Sequence, residues 1–158
     1  MLRTETVRRP VLLLSFMLAL AGCSKTPPEP TKLEVKDVWV RLSPVAGRPA
    51  AAYFTLKGGS QPERLTTVTS SKAVRIELHE GGMSGNMMTM KPIAGAFVPA
   101  NTEVKFAPGG NHAMVFDLDP AITPGTRLPI AFSFQSGLTV ETEAKTVAAG
   151  DSDGHEGH

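Results

Sequence analysis

Apolar and polar residues alternate with a period of two along several short segments, and this alternation constrains the fold more than any other feature of the chain. In "AAAYFTLK" the positions Ala50, Ala52, Phe54 and Leu56 share one face of an extended backbone. In "VRIELHE" Val74, Ile76 and Leu78 alternate with Arg75, Glu77 and His79. "LPIAFSFQ" repeats the scheme with Leu128, Ile130, Phe132 and Phe134 before a Ser136-Gly137 turn into "LTVETEAKTV". Glycine and proline punctuate the segments at "SPVAGRP", "KGGSQP", "APGG", "DPAITPG" and "QSG". No stretch carries the period of a long amphipathic helix, and no internal repeat is visible. Short strands joined by frequent turns predict an all-β chain folded as an antiparallel sandwich or barrel.

The 158 residues, 41% hydrophobic and 20% charged, suit a single core. Arg8 and Arg9 precede "VLLLSFMLALAG", the order of an export signal, and this run is short of the roughly 20 apolar residues of a membrane span. The one cysteine, Cys23, follows at once in "LAGC", which resembles the lipobox of bacterial lipoproteins. The alternative is an ordinary signal cleaved nearby and a free thiol. The lipoprotein reading divides the chain into a signal at 1–22, a lipidated Cys23 with a proline-rich linker to 32, a β-domain at 33–147 and a disordered tail at 148–158. It also predicts an extracytoplasmic protein anchored to a membrane by acyl chains.

Lipidation of Cys23 leaves no free thiol. A thiolate nucleophile, a CxxC redox pair, a disulfide, a zinc–cysteine site and a blue-copper centre all need sulfur that is then missing. Without the first 22 residues, which hold Arg3, Arg8 and Arg9 against Glu5, 13 basic and 14 acidic residues remain. No nucleic-acid partner is expected from that balance. No serine sits in a G-x-S-x-G context and no Walker or zincin motif is present, so no enzyme is expected.

The scarcer side chains gather in two places. In "GGNHAMVFDL" His112 and Met114 lie two apart, hence on one face of a strand with Cα atoms roughly 6.6–6.8 Å apart. Phe116 and Leu118 continue that face and are expected in the core, placing the pair at its rim. In "LHEGGMSGNMMTMKP" His79 ends a strand on its polar face, and Met83, Met87, Met88 and Met90 follow in a glycine-containing loop. Five of the 7 methionines lie between residues 83 and 114, beside the only histidines of the β-domain. A single such methionine is ordinarily core filling. Met87 and Met88 are neighbours, however, and cannot both face the core of a regular strand. Thioether sulfur suits Cu(I) and poorly suits Mg²⁺, Ca²⁺ or Zn²⁺, while imidazole suits copper as well, so a mixed set points to copper.

The spacing His79, ten residues, Met90, twenty-one residues, His112, one residue, Met114 is the H-x10-M-x21-H-x-M pattern, and on it the chain resembles the periplasmic copper chaperone family called PCu(A)C. The likeness extends to "VWVRLSPVAGRPAAAYFTLKG", "MKPIAGAFVPA" and "APGGNHAM". It implies a cupredoxin-like Greek-key barrel that binds Cu(I) through His79, Met90, His112 and Met114. It also implies copper delivery to a haem-copper cytochrome oxidase, at the subunit carrying the CuA centre, or to its assembly factors. Met83 and Met88 resemble extra methionines of the family and are either auxiliary metal ligands or loop packing. In the tail, His155 and His158 stand beside Asp151, Asp153 and Glu156, a donor set suited to Cu(II), or form a solvated end without a role. Two other readings remain: a β-sandwich lipoprotein that binds protein without metal, and a copper-storage or tolerance protein.

Overall fold

The computed structural model describes residues 31–85 and 87–151. The export signal, Cys23, most of the linker and the tail histidines His155 and His158 lie outside the described residues. Among the described residues every regular element is a strand: β1 Glu34–Arg41, β2 Ala50–Lys57, β3 Glu63–Thr69, β4 Ala73–Ser84, β5 Met87–Pro92, β6 Ala96–Val98, β7 Glu103–Phe106, β8 His112–Leu118, β9 Arg127–Phe134 and β10 Thr139–Val147.

The strands pair in the order β5-β4-β8-β2-β1-β10-β9-β3-β6, with β7 also on β2. One edge of β2 serves two partners: Ala50–Ala52 pair with β8, and Phe54–Lys57 with β7. The sheet curls until β3 and β4, remote in pairing order, come into contact. The enclosed core takes Phe54 and Leu56 from β2, Leu65 and Val68 from β3, Leu78 from β4, Ala113 and Val115 from β8, and Leu128, Ile130, Phe132 and Phe134 from β9. Phe54 stacks on Phe106 at 4.3 Å between ring centroids and meets Phe132 edge-on at 4.8 Å.

The all-β sandwich class expected from the alternation holds, with one difference in strand direction. Among the described residues all pairings are antiparallel except β1 with β10, which run parallel through Trp39, Val40 and Arg41. A period of two reports which face a residue occupies and says nothing about the direction of the neighbouring strand.

Two local expectations are corrected. Val74 stands 76% exposed, outside the core. Phe116 also lies outside it, under the Arg75 guanidinium, whose carbon is 4.1 Å from the ring centroid. Asp117, in left-handed backbone at φ 51°, follows Phe116 and interrupts the alternation, and Leu118 packs on the core. Asp37, at φ 52°, has the same effect in β1, where the register with β2 shifts between Lys36 and Trp39. Val35 before the shift and Val40 after it both reach the core, and Trp39 turns outward to join Tyr53 and Val147 in a second, smaller cluster.

Two measurements check this arrangement. Phe132→Ala, at a fully buried ring, is expected to cost about 3–5 kcal/mol in urea unfolding, whereas Phe97→Ala, at a ring 59% exposed, should stay within about 0.5 kcal/mol. Asp119 accepts a hydrogen bond from the Ala121 N–H at 2.9 Å and pairs with Lys72 at 3.1 Å, and these hold its carboxyl below the ordinary 3.8. A depressed carboxyl stabilises the fold fully above its unfolded value, and the contribution is lost as pH falls through the lower folded value. The melting temperature of Asp119→Asn should therefore fall less steeply than wild type between about pH 5 and pH 2.5. Parallel curves would contradict this.

Candidate metal centre

Directly opposed residues of two paired strands share a face of the sheet. In β4 and β8 the opposed pairs are His79 with His112, Glu77 with Met114 and Arg75 with Phe116. In β4 and β5 they are Gly81 with Met90 and Met83 with Met88. On β2, Ala51 lies opposite Met114 on one side and Arg41 on the other. The residues alternating with these, among them Leu78, Ala113, Ala52 and Val40, are in the main core. The whole set thus occupies the outer face of the sheet, and the rim of the core is the wrong description of its position.

A cleft of about 230 Å³ opens on this face, walled by His112, Met114, Met90 and Met88 together with Gly81, Gly109, Gly110, Ala51, Tyr53 and Arg41. His79 is not part of the wall. It lies beside His112, ring centroids 5.7 Å apart and planes 25° from parallel. Met83, opposite Met88 in the hairpin, is not part of the wall either. The methionines lie on the strands of a β4–β5 hairpin and not in a loop, and Met83, Met87, Met88 and Met90 are each more than 60% exposed.

Each imidazole keeps one nitrogen occupied by the protein. His112, 8% exposed, places Nδ1 2.9 Å from the Gly110 carbonyl oxygen, which fixes the proton on Nδ1 and leaves the Nε2 lone pair free. His79 places Nε2 3.5 Å from a Glu77 carboxylate oxygen, which favours the proton there, and its buried Nδ1 has no hydrogen-bond partner. A buried nitrogen with nothing donating to it, on a ring 5.7 Å from that of His112, which itself lines the cleft with the thioethers of Met90 and Met114, fits a soft cation. Among the described residues no group of three or more His, Cys, Asp or Glu side chains is placed to hold a metal ion.

Glycine creates the room for this arrangement. A Cβ on Gly81 would sit 2.4 Å from the Gly110 carbonyl oxygen, the acceptor that orients His112. A side chain at position 81 would force that carbonyl away. Sequence reasoning found the two histidines and the methionines and missed Glu77, Gly81, Gly110, Arg41 and Tyr53 as their surroundings. Glu77 carried a local signal, two residues before His79 on a strand. Arg41 and Tyr53 carried none, since only the register of β1, β2 and β8 brings them to the cleft.

Residues 33–146 match the family model described as "Putative lipoprotein LpqE-like". The chain is 27% identical over 148 residues to "Putative lipoprotein Lxx21020" of Leifsonia xyli subsp. xyli (strain CTCB07), covering 88% of this chain and 89% of the relative. Among solved structures it is similar to the copper-bound PCuAC domain of PmoF2, with TM-score 0.63 and 20% identity over 75% of this chain and 94% of that one. It is similar also to the Cu(I) form of DR1885 from Deinococcus radiodurans, with TM-score 0.54 and 26% identity over 80% and 83% of the two chains.

The surroundings of His112 can be tested directly. Gly81→Ala should shift the ¹⁵N resonances of the His112 ring and destabilise the fold by about 1–3 kcal/mol. Gly82→Ala, whose added Cβ would meet only the Thr89 hydroxyl at 3.7 Å, should leave the ring resonances in place. Unchanged His112 resonances in both variants would show that the Gly110 carbonyl does not depend on the space at Gly81.

Proposed function

The chain belongs to the LpqE-like family, of PCuAC type, and we propose from that premise that it is an extracytoplasmic, lipid-anchored carrier of Cu(I). His79, Met90, His112 and Met114 are the ligands of this reading. The observation that carries it is the facing pair of imidazoles, each with a free lone pair, beside a cleft that holds both Met90 and Met114. Metal–nitrogen bonds of about 2 Å are compatible with one ion shared between rings 5.7 Å apart. Neutral thioethers tolerate an oxidising compartment in which thiols tend towards disulfides. Four neutral donors fill the usual coordination of a cuprous ion and disfavour substrate binding at the metal, which suits a carrier better than a catalyst.

Anchoring through Cys23 is supported by the lipobox-like sequence and by the lipoprotein names of the family and the Leifsonia relative. Met88 serves as an auxiliary ligand, supported by its place on the cleft wall, and Met83, opposite it, hands the ion inward. The tail, with His155 and His158, captures Cu(II). Its support is that β10 ends at Val147, in register with Arg41, which belongs to the cleft wall. The recipient is the CuA centre of a haem-copper oxidase or an assembly factor that loads it, a reading supported by the resemblance to copper chaperones.

Titration of the purified domain with Cu(I) against a chelator is expected to give one tightly held ion per chain. The Met90→Leu, His112→Ala double variant should lose that binding while keeping its far-ultraviolet spectrum. Mixing the loaded protein with an apo CuA domain should transfer copper. Wild-type affinity in the double variant would refute the ligand assignment, and retention of copper by the carrier would refute the recipient.

A further inference from the structure

The four proposed ligands are neutral, so the charge felt by a bound ion is set by its neighbours, and the same outer face carries two guanidinium groups, Arg41 and Arg75, and the carboxylate of Glu77. Arg41 belongs to the cleft wall. Its guanidinium donates to the Tyr53 hydroxyl at 2.6 Å and lies 5.3 Å from the centre of that ring, which fixes its position. Among the described residues no carboxylate lies within ion-pair distance of it. Ala51, between Arg41 and Met114 in the pairing register, is too small to separate that charge from the cleft.

On the far side of Met114 stands Glu77, the carboxylate that could offset the charge of a bound ion. Arg75 holds it, Nε to Oε1 at 2.9 Å, and Arg75 is itself packed on the Phe116 ring at 4.1 Å. The carboxylate beside the histidines is therefore already neutralised, while the guanidinium at the opposite wall is not.

We infer that Arg41, with the Arg75–Glu77 ion pair, makes this cleft select the monovalent cuprous ion over the divalent cupric ion. The inference rests on the copper reading above and adds to the preference that thioether ligands already give. A fixed positive charge repels a divalent ion twice as strongly as a monovalent one. Arg41 and Met114 are two strand spacings apart, roughly 10 Å. At that separation the extra repulsion amounts to about a two- to sixteenfold loss of Cu(II) affinity relative to Cu(I), for effective dielectric constants of about 80 to 20. Arg75 adds to this by withholding from the ion an oxygen donor suited to Cu(II).

The test compares Cu(I) and Cu(II) affinities by chelator competition, together with the reduction potential of the loaded protein. Arg41→Gln should raise the Cu(II)-to-Cu(I) affinity ratio about two- to sixteenfold and lower the potential by about 20–70 mV. Arg41→Lys should stay near wild type. Arg75→Gln should raise the ratio by freeing Glu77, and adding Glu77→Gln should reverse that rise. Tyr53→Phe, a milder change near the same guanidinium, should move the ratio in the same direction by less and covers the case of an unfolded Arg41→Gln. An unchanged ratio in folded Arg41→Gln or Tyr53→Phe protein that still binds Cu(I) overturns the inference. Absence of Cu(I) binding in wild type overturns the reading on which it rests.

Discussion

The pairing of β4 with β8 in one register is the constraint on which the rest depends. It places Leu78 against Ala113 on the core side and His79 against His112 on the outer side at the same time. A slip of β4 by one residue would send His79 into the core and drive Leu78 out to solvent while His112 and Ala113 kept their faces, so the two imidazoles would no longer meet. The apolar residues therefore hold the site in register without touching it. Burial of Leu78, Ala113 and Val115 fixes the alignment, and the imidazoles face each other as a consequence.

This division of faces explains which parts were legible in the sequence. Wherever the alternation is regular, as from Ala50 to Leu56 and from Leu128 to Phe134, the inward residues were identified from the pattern and lie in the core. The pattern misleads where one residue adopts left-handed backbone, because every later side chain then changes face. Asp117 does this in β8: Phe116, before it, keeps the outer face of His112 and Met114 and lies under Arg75, whereas Leu118, after it, packs inward. Aspartate tolerates that conformation better than most residues, yet nothing in "VFDLD" distinguishes it from an ordinary outward aspartate.

The methionine hairpin shows a second limit. Gly81-Gly82 reads as a turn in sequence, since glycine pairs ordinarily mark one. Here β4 runs straight through both glycines to Ser84. The missing side chain at Gly81 is needed because the Gly110 carbonyl presses against the strand, a contact between residues 29 positions apart that no local window contains. Long-range pairings of this kind, like the parallel β1–β10 contact and the approach of Arg41 to the cleft, are set by topology. The histidines and methionines were nonetheless legible, because their chemistry is conspicuous whatever their partners.

Keeping the candidate centre off the core has a thermodynamic consequence. In a small zinc domain the ligands are the core, so metal binding and folding are one event. Here the eighteen residues of the main core include none of the four proposed ligands, and neither does the aromatic stack of Phe54, Phe106 and Phe132. On the proposed ligand set, folding and ion binding are separate equilibria, and little refolding opposes the release of an ion. Exposure acts in the same direction: Met88 and Met90 stay mostly open to solvent, so an incoming donor can approach from outside while the buried His112 ring remains fixed by the Gly110 carbonyl. One side of the centre is rigid and the other is reachable. A resident cofactor requires enclosure, whereas an ion that must be passed on requires this asymmetry.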